Sequence, residues 1–411
     1  MHHNIWVVLE RRLSHSKKIA IIGGGASGLL CAIECAKKST CQIDIYEQNS
    51  KLGRKILVSG NGKCNITNIS TCQRDYTSQN PTFVEFALKN FSFKEFEKFA
   101  SGIGLVLDVK DDGKVYPLSY EAKTVVSLLQ NKALSLGINI KTDSKITTLK
   151  PLFADYDTVV VACGSKAAPH LGGSDDGYSF AREFGHNIIP TYPSLVGLEL
   201  EQSPHAKMSG TKLESEVTVF LNNIKTSTCQ GDVLFTTYGV SGLAILDISN
   251  EISEALLNYQ AVDISINLLP KFTPQKLSNI LLNISKNTIT LLDTLHAILP
   301  LKIVKTILDE LKFPHAKVSK DTNTKEIKKI VNKIQNFKFE VKNTHGFRHA
   351  EVSGGGVDTK EINPKTMESL KKKNLYFCGE VLDVVGRRGG FNFAWAWASG
   401  YLVAKSLELR L

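Results

Sequence analysis

The stretch 18–47, KIAIIGGGASGLLCAIECAKKSTCQIDIYE, constrains the fold more than any other part of the chain. It opens with an apolar run, Ile19 to Ile22, long enough for a buried parallel strand. Gly23, Gly25 and Gly28 follow in the spacing G-x-G-x-x-G, and Leu29, Ala32, Ile33 and Ala36 then recur at helical spacing. After a break at Ser39 and Thr40, a second apolar run ends on Glu47, 19 residues beyond Gly28. The three glycines serve different physical ends, since Gly23 permits a tight turn, Gly25 lets backbone approach a pyrophosphate, and Gly28 lets helix and strand pack closely. The turn, with Ala26 and Ser27 inside it, then presents a helix N-terminus to phosphate. Glu47 is placed to accept hydrogen bonds from a ribose diol, which fits an unphosphorylated ribose and so favours FAD or NAD over NADP. A glycine-rich turn in an ordinary α/β domain is the competing explanation; strand, turn, helix, strand and acid in one unit argue against it.

Two further segments read as backbone laid against a ligand. Residues 50–68, SKLGRKILVSGNGKCNITN, lack a helical period and are long for a linker. Arg54, Lys55 and Lys63 carry charge suited to a phosphate or an electron-rich ring, Gly60 and Gly62 allow close approach, and Ser59, Cys64 and Asn65 complete the expected contact surface. Near the C-terminus, CGEVLDVVGRRGGFN leads into a last helix from about Asn392 to Leu409. Gly379 and Glu380 end a strand where ribityl hydroxyls would run, with Asp383 just beyond. Gly389, Gly390, Phe391 and Asn392 open a helix whose N–H groups and dipole can stabilise negative charge on a reduced flavin. The alternatives are a simple helix cap for Asn392 and solvated acids for Glu380 and Asp383.

LGRKILVSGNGKCNITN and YFCGEVLDVVGRRGGFNFAWAWASG together resemble the bacterial FAD-binding oxidoreductases known as YhiN-like, BaiN-like or aminoacetone-oxidase-like. LFTTYGVSGLAIL, from Leu234 to Leu246, and SGGGVDTKEINPKTMES, from Ser353 to Ser369, match two more blocks of that family in order, so the resemblance covers nearly the whole chain. It implies a discontinuous FAD/NAD(P)-binding Rossmann-type α/β domain with an inserted antiparallel β subdomain and a helical subdomain. This chain departs from the pattern at Lys63, where the family usually has Arg, at Thr237 (His), at Leu243 (Pro) and at Ser353 (Thr). Those departures bear on the substrate side more than on the FAD side.

Taken in order, the remaining residues fit the same layout. Helices are expected at Thr82–Lys89, Phe93–Ser101, Tyr120–Leu136 and Tyr178–Phe184, and short strands at Leu105–Val109, Ile138–Lys141, Lys145–Leu149 and Thr158–Ala162. Gly164, just past the last of these, permits close approach near the adenine half of a cofactor, or simply makes a turn. Asp175 and Asp176 are read as caps of the helix that follows them. Alternating strands run from Leu195 to Tyr238, a helical lysine-rich stretch from Pro270 to about Lys333, and a strand returns at Phe337 to Val341. The expected division is 17–190 with 345–411 for the FAD domain, 191–269 with 336–344 for a β-barrel-like substrate domain, and 270–335 for a helical insert.

Composition limits the function classes. The 411 residues, 42% hydrophobic and 22% charged, describe a globular chain, and no run of about 18 apolar residues suggests a membrane span. The first 16 residues read as a leader without the features of a signal peptide. Eight scattered cysteines without a C-x-x-C argue against a dithiol relay and for reduced thiols in the cytoplasm, with Cys31 and Cys35 as core side chains. Of the net charge of +10, residues 271–340 hold 13 Lys against 6 acids and no Arg. A solvated helical face is preferred for that excess, with RNA contact as the alternative.

The expected activity is hydride passage between a small-molecule substrate and flavin N5. No second G-x-G-x-x-G is present, since Gly354–Gly356 lacks the third glycine, so no separate NADPH domain is encoded. The flavin is reduced either by the substrate itself, as in an oxidase or dehydrogenase, or by NAD(P)H entering the substrate cavity, as in an ene-reductase. A flavoprotein that binds or modifies RNA through the lysine-rich insert is the second class. Arg387 and Arg388 are candidate anion anchors or else loop ion pairs. No catalytic acid or base is assigned; Cys64, Tyr238 and His345 are residues to test. Metal-ligand spacing is absent, and His345 and His349 do not sit on a helical pattern.

Overall fold

The computed structural model describes residues 17–408 apart from 39–40, 202–203, 285 and 287. Residues 1–16, read above as a leader, lie outside the described residues.

Strand β1 (Lys18–Ile22), helix α1 (Ala26–Lys38) and strand β2 (Gln42–Tyr46) follow one another as the glycine spacing requires. β1 lies at the centre of a five-stranded sheet, between β2 and Thr158–Val161, with Asn139–Lys141 at one edge and Leu375–Phe377 at the other. All four pairings are parallel. Helices cover such a sheet on both faces, and Thr158–Val161 is accordingly buried at every position. The strand Leu375–Phe377 is supplied from the far end of the chain, so the domain closes only after the long excursion between.

That excursion contains a closed six-stranded barrel, built from Leu198–Leu200, Gly239–Ser241, Ile224–Phe235, Lys212–Leu221, Val262–Asn267 and Phe337–Thr344 in spatial order. The long hairpin 212–235 alternates inward apolar and outward polar residues, with Val217 and Val219 buried, as a barrel wall demands. A helix at Leu243–Leu257 packs on this barrel, and its buried face is Ala244, Ile245, Ile248 and Ile252. Four helices, at Pro274–Ile284, Leu291–His296, Leu301–Glu310 and Thr324–Gln335, then form one apolar cluster with the barrel interior. The last of them is strongly amphipathic: Ile327, Ile330, Val331 and Ile334 are buried while Lys325, Lys328 and Lys329 are exposed.

The C-terminal helix Phe391–Glu408 returns to the first domain and lies against α1. Their approach is close because Gly400 has no side chain: a Cβ there would stand 2.5 Å from the Ser27 carbonyl oxygen.

Some expectations need correction. Lys145–Leu149 forms no strand, because the chain leaves the sheet edge after Lys141 to run over the cofactor side. Residues 50–68 are not devoid of helix: Arg54–Val58 makes one turn, entered through the left-handed Gly53. Asp175 caps nothing with its side chain, and Asp176 instead accepts from the Ser174 hydroxyl and pairs with Lys145. The helix Leu243–Leu257 had no expected counterpart.

Candidate functional site

At the C-terminal edge of the parallel sheet opens a cavity of about 880 Å³. Its walls come from the glycine turn, residues 46–65, the loop after Thr158–Val161, the run 348–352 and the loop that enters the C-terminal helix. This is the edge at which open α/β sheets place their ligands.

The glycine turn is shaped by three different clearances. A Cβ on Gly28 would lie 2.1 Å from the Gly23 carbonyl oxygen, and one on Gly23, which has φ +114°, would lie 2.5 Å from that of Ala162. Around Gly25 no protein atom lies within 4 Å of the same point, so that space belongs to the cavity. The first-turn N–H groups of α1 have no intrahelical acceptor and open on this space. Glu47 is buried at the tip of β2; its Oε2 accepts from the Gly24 N–H at 2.9 Å and its Oε1 from the Asn49 backbone and side-chain N–H at 2.9 and 2.6 Å. The acid is thus fixed beside the turn. An open Gly25, a free helix end and a clamped acid on one wall form a cradle that fits the adenosine and pyrophosphate of FAD.

Farther along, Gly164 lines the cavity with φ +74°. Glu380 is held by the Lys55 ammonium at 2.8 Å, the Ser165 hydroxyl at 2.7 Å and the Ser353 N–H at 3.0 Å. Arg54 donates to Asn49 and to the His170 carbonyl. Ala26, Ser27, Ser59, Gly60, Lys63, Asn65, Gly389, Gly390 and Asn392 also line the space. Asn392 is locked in turn, since its amide exchanges two hydrogen bonds with the Gly386 backbone at 2.8 and 2.7 Å.

Several expected site residues point elsewhere. Cys64 has φ +58°, which turns its side chain into the core; it is fully buried and burial pushes the thiol up to about 11. Asp383 is buried away from the cavity, where it accepts from the Gln79 N–H at 2.8 Å and the Ser78 hydroxyl. Gly379 stands under α1, its absent Cβ 2.6 Å from the Ser27 hydroxyl oxygen, and Phe391 is core. Arg387 pairs with Asp75 at 2.7 Å and lies over the Phe391 ring. Arg388 does line the cavity, but both arms of its guanidinium are engaged by Asp247 of the helix Leu243–Leu257. Tyr238 and His345 stack at 3.8 Å just behind His349, which stacks on His345 at 4.0 Å and reaches the cavity. His345 also meets Glu199 at 3.1 Å.

Arg348 and Glu351 were not singled out in the sequence, and His349 was weighed only as a metal-ligand partner of His345, although the three lie in one stretch, FRHAE, directly before a buried glycine-rich strand. Glu351 has accessible surface, yet it faces the cavity, and the surrounding protein raises its carboxyl above the ordinary value despite the charge of Arg388. Leu195, Leu243 and Leu246 give that end of the cavity an apolar wall. Among the departures from the family pattern, Lys63 and Leu243 both face this space. No cluster of three metal-ligating side chains occurs among the described residues, and none of their helices is long and apolar enough to cross a membrane.

Residues 17–406 match the family model described as HI0933-like protein Rossmann domain. The 3-dehydro-bile acid delta(4,6)-reductase of Clostridium scindens is 31% identical, over 96% of this chain and 99% of its own. A ribosomal RNA dihydrouridine synthase of Haemophilus influenzae is 32% identical, over 96% of this chain and 100% of its own. Its namesake in Escherichia coli is 31% identical, over 94% and 97%.

Proposed function

The chain belongs to the HI0933-like Rossmann-domain family of FAD-binding oxidoreductases, and within it we propose that this enzyme reduces a carbon–carbon double bond conjugated to a carbonyl, with NADH or NADPH as the reductant. The carrying observation is that one cavity of about 880 Å³ is lined both by Gly389, Gly390 and Asn392 and by Leu195, Leu243, Leu246 and Glu351, so an apolar surface and a carboxyl share the space with the residues that would hold the flavin.

Bound FAD would supply hydride chemistry. The chain supplies the rest. The glycine turn and Glu47 would hold the adenosine end, Lys55 and Glu380 would line the middle, and the start of the C-terminal helix would face the ring's electron-rich edge. The leucine wall would position an apolar or aromatic face of the substrate. The relatives' names point to one bond type: a 3-oxo steroid with delta(4,6) unsaturation and a uracil ring both place a double bond next to a carbonyl. Since the chain holds one dinucleotide motif, the nicotinamide would enter through the substrate space.

The purified protein should absorb near about 450 nm, bleach anaerobically with NADH or NADPH, and recover its colour when a 4-en-3-one steroid, a simple cyclic enone or a uridine oligonucleotide is added. Recovery with oxygen alone, and with none of these acceptors, would remove the reading.

A second reading, that the uracil is carried by RNA, is favoured by the helical insert. Lys305, Lys312, Lys320, Lys325 and Lys328 are exposed and make no ion pair among the described residues, while Lys271 and Lys333 are matched by Glu214 and Glu310. Retention of RNA should then weaken steeply with salt, by a log–log slope of about −0.7 per contacted phosphate. A flat profile leaves the small-molecule acceptor.

A further inference from the structure

Reduction of a conjugated double bond needs a proton as well as a hydride, and the cavity presents one carboxyl in a position to give it. The geometry points to Glu351 as the acid that protonates the substrate carbon α to the carbonyl, an inference that rests on the double-bond reading above.

The direction of the Glu351 side chain is set by its neighbours. Ala350 is buried with Ala167 and Val196, and Val352 is buried with Leu195 and Val385. The chain bends at Glu351, between a turn at 347–349 and the strand that starts at Val352, and with its two neighbours in the core the Glu351 side chain lines the cavity. The Glu351 N–H bonds to the Leu195 carbonyl at 3.3 Å and fixes the register.

The other cavity carboxylates are occupied. Glu47 is held by Gly24 and Asn49, Asp176 by Ser174 and Lys145, and Glu380 by Lys55, Ser165 and Ser353. Among the described residues the Glu351 carboxyl accepts no hydrogen bond. Charged groups face it from two elements: Arg388 from the loop before the C-terminal helix and Asp247 from the helix Leu243–Leu257. Asp247 takes two points of the guanidinium, and the charge of Arg388 opposes the rise without reversing it. Desolvation by the surrounding protein is the larger effect and leaves the carboxyl pKa raised from its ordinary value. Arg348 and His349 adjoin it in sequence; His349 is itself desolvated, which together with His345 and Arg348 lowers its affinity for a proton.

In the step itself the substrate carbon β to the carbonyl would take a hydride, two electrons and one proton, which bound reduced FAD would supply and NADH or NADPH would replenish. The π pair would move to give an enolate on the substrate. Its α-carbon then takes the Glu351 proton, and the carboxylate left behind is reprotonated from solvent.

Glu351→Gln keeps shape and removes the proton. Recovery of the oxidised spectrum on adding an enone or uridine should slow by about 10²–10³-fold, far more than cofactor reduction by NADH or NADPH slows. In the wild type that recovery should slow as pH rises through the raised carboxyl pKa, and in the variant the slope should vanish. Glu351→Asp should restore part of the rate. In infrared spectra of the cofactor-free protein taken across pH, one protonated-carboxyl band should persist to higher pH than an ordinary glutamic acid's, and the Gln variant should lack it. Wild-type recovery rate and pH slope in Glu351→Gln would overturn the role of Glu351 and leave the double-bond reading standing. Failure of every conjugated acceptor with the wild type would overturn both.

Discussion

Arg388 and Asp247 meet in a two-point ion pair, Nε to Oδ1 at 3.0 Å and Nη2 to Oδ2 at 2.8 Å. The pair joins the loop beside the C-terminal helix to the helix on the barrel, across the substrate end of the cavity. From sequence, Arg388 could equally have been an anion anchor for substrate. Its charge is spent within the protein, and each side chain is about three-quarters buried, at 26% and 29% exposed. Lysine cannot reproduce the planar fork. Arg388→Lys and Asp247→Asn should each destabilise the protein by about 1–2 kcal/mol, and the double variant should lose less than their sum. Urea denaturation of the four proteins measures this. Additive losses, with the Michaelis constant for substrate rising only in the Arg388 variant, would return Arg388 to the role of anchor.

The glycine turn separates folding from ligand binding at neighbouring positions. Gly28→Ala places a methyl 2.1 Å from a backbone carbonyl, which no side chain can relieve, so the cofactor-free protein should lose stability or fail to fold. Gly25→Ala adds a methyl with no protein atom within 4 Å. That variant should melt with the wild type when cofactor-free, yet bind FAD at least about tenfold more weakly, a loss of roughly 1.4 kcal/mol. Flavin fluorescence titration beside thermal melts decides it. Equal FAD affinity in Gly25→Ala would mean that the pyrophosphate lies elsewhere.

The two positions also show what was legible in the chain. A turn needing three glycines and an acid is local: every constraint acts within 30 residues, so strand, helix and acid could be placed from spacing alone. Glu380 was legible for the same reason, sitting at the end of an apolar strand. The place of Glu351 in the cavity lining was not, because its neighbours Ala350 and Val352 are pinned by residues 167, 196, 195 and 385, contacts that no local pattern carries. Cys64 misled in the opposite sense. It lies within a cofactor-like loop, and only the left-handed backbone at φ +58° sends its thiol to the core. The barrel helix Leu243–Leu257 does carry a helical period, with Ala244, Ile245, Ile248 and Ile252 buried and Asp247 and Glu251 between them, but it follows directly on the barrel strand Gly239–Ser241 with only Gly242 between, so no loop marks its start.

Cys64 yields a prediction from that geometry. Burial holds its thiol at about 11, so at pH 8 almost none is thiolate, and the site has no access. Cys72 is exposed. Iodoacetamide at pH 8 should label Cys72 and leave Cys64 unmodified, as peptide mass mapping would show. Cys64→Ala should retain cofactor reduction and turnover while losing stability, since a buried group is removed. Loss of turnover with unchanged stability would instead place the thiol in the chemistry.

Asp44 on β2 carries the clearest pH signature in the fold. Its side chain is 3% exposed, and the Lys141 ammonium stands 2.8 Å away, with Tyr156 also donating. Burial alone would raise the carboxyl pKa, but the hydrogen bonds from Lys141 and Tyr156 and the lysine charge outweigh it, and the net shift is downward from 3.8. A depressed folded-state pKa means that the unfolded chain binds the proton first. The stabilisation is therefore complete above the unfolded value and is lost as pH falls through it toward the folded one. Lys141 is 34% exposed, so removing the charge in Asp44→Asn should cost about 2 kcal/mol near neutrality, below the 3–5 kcal/mol of a fully buried pair. Because asparagine resembles the protonated acid, the gap between wild type and variant should close as pH falls from 3.8 through the depressed folded-state value. Paired urea titrations across that range isolate the effect, since every other carboxylate is common to both proteins. A gap that stays constant with pH would assign the loss to packing around Asp44 and not to its charge.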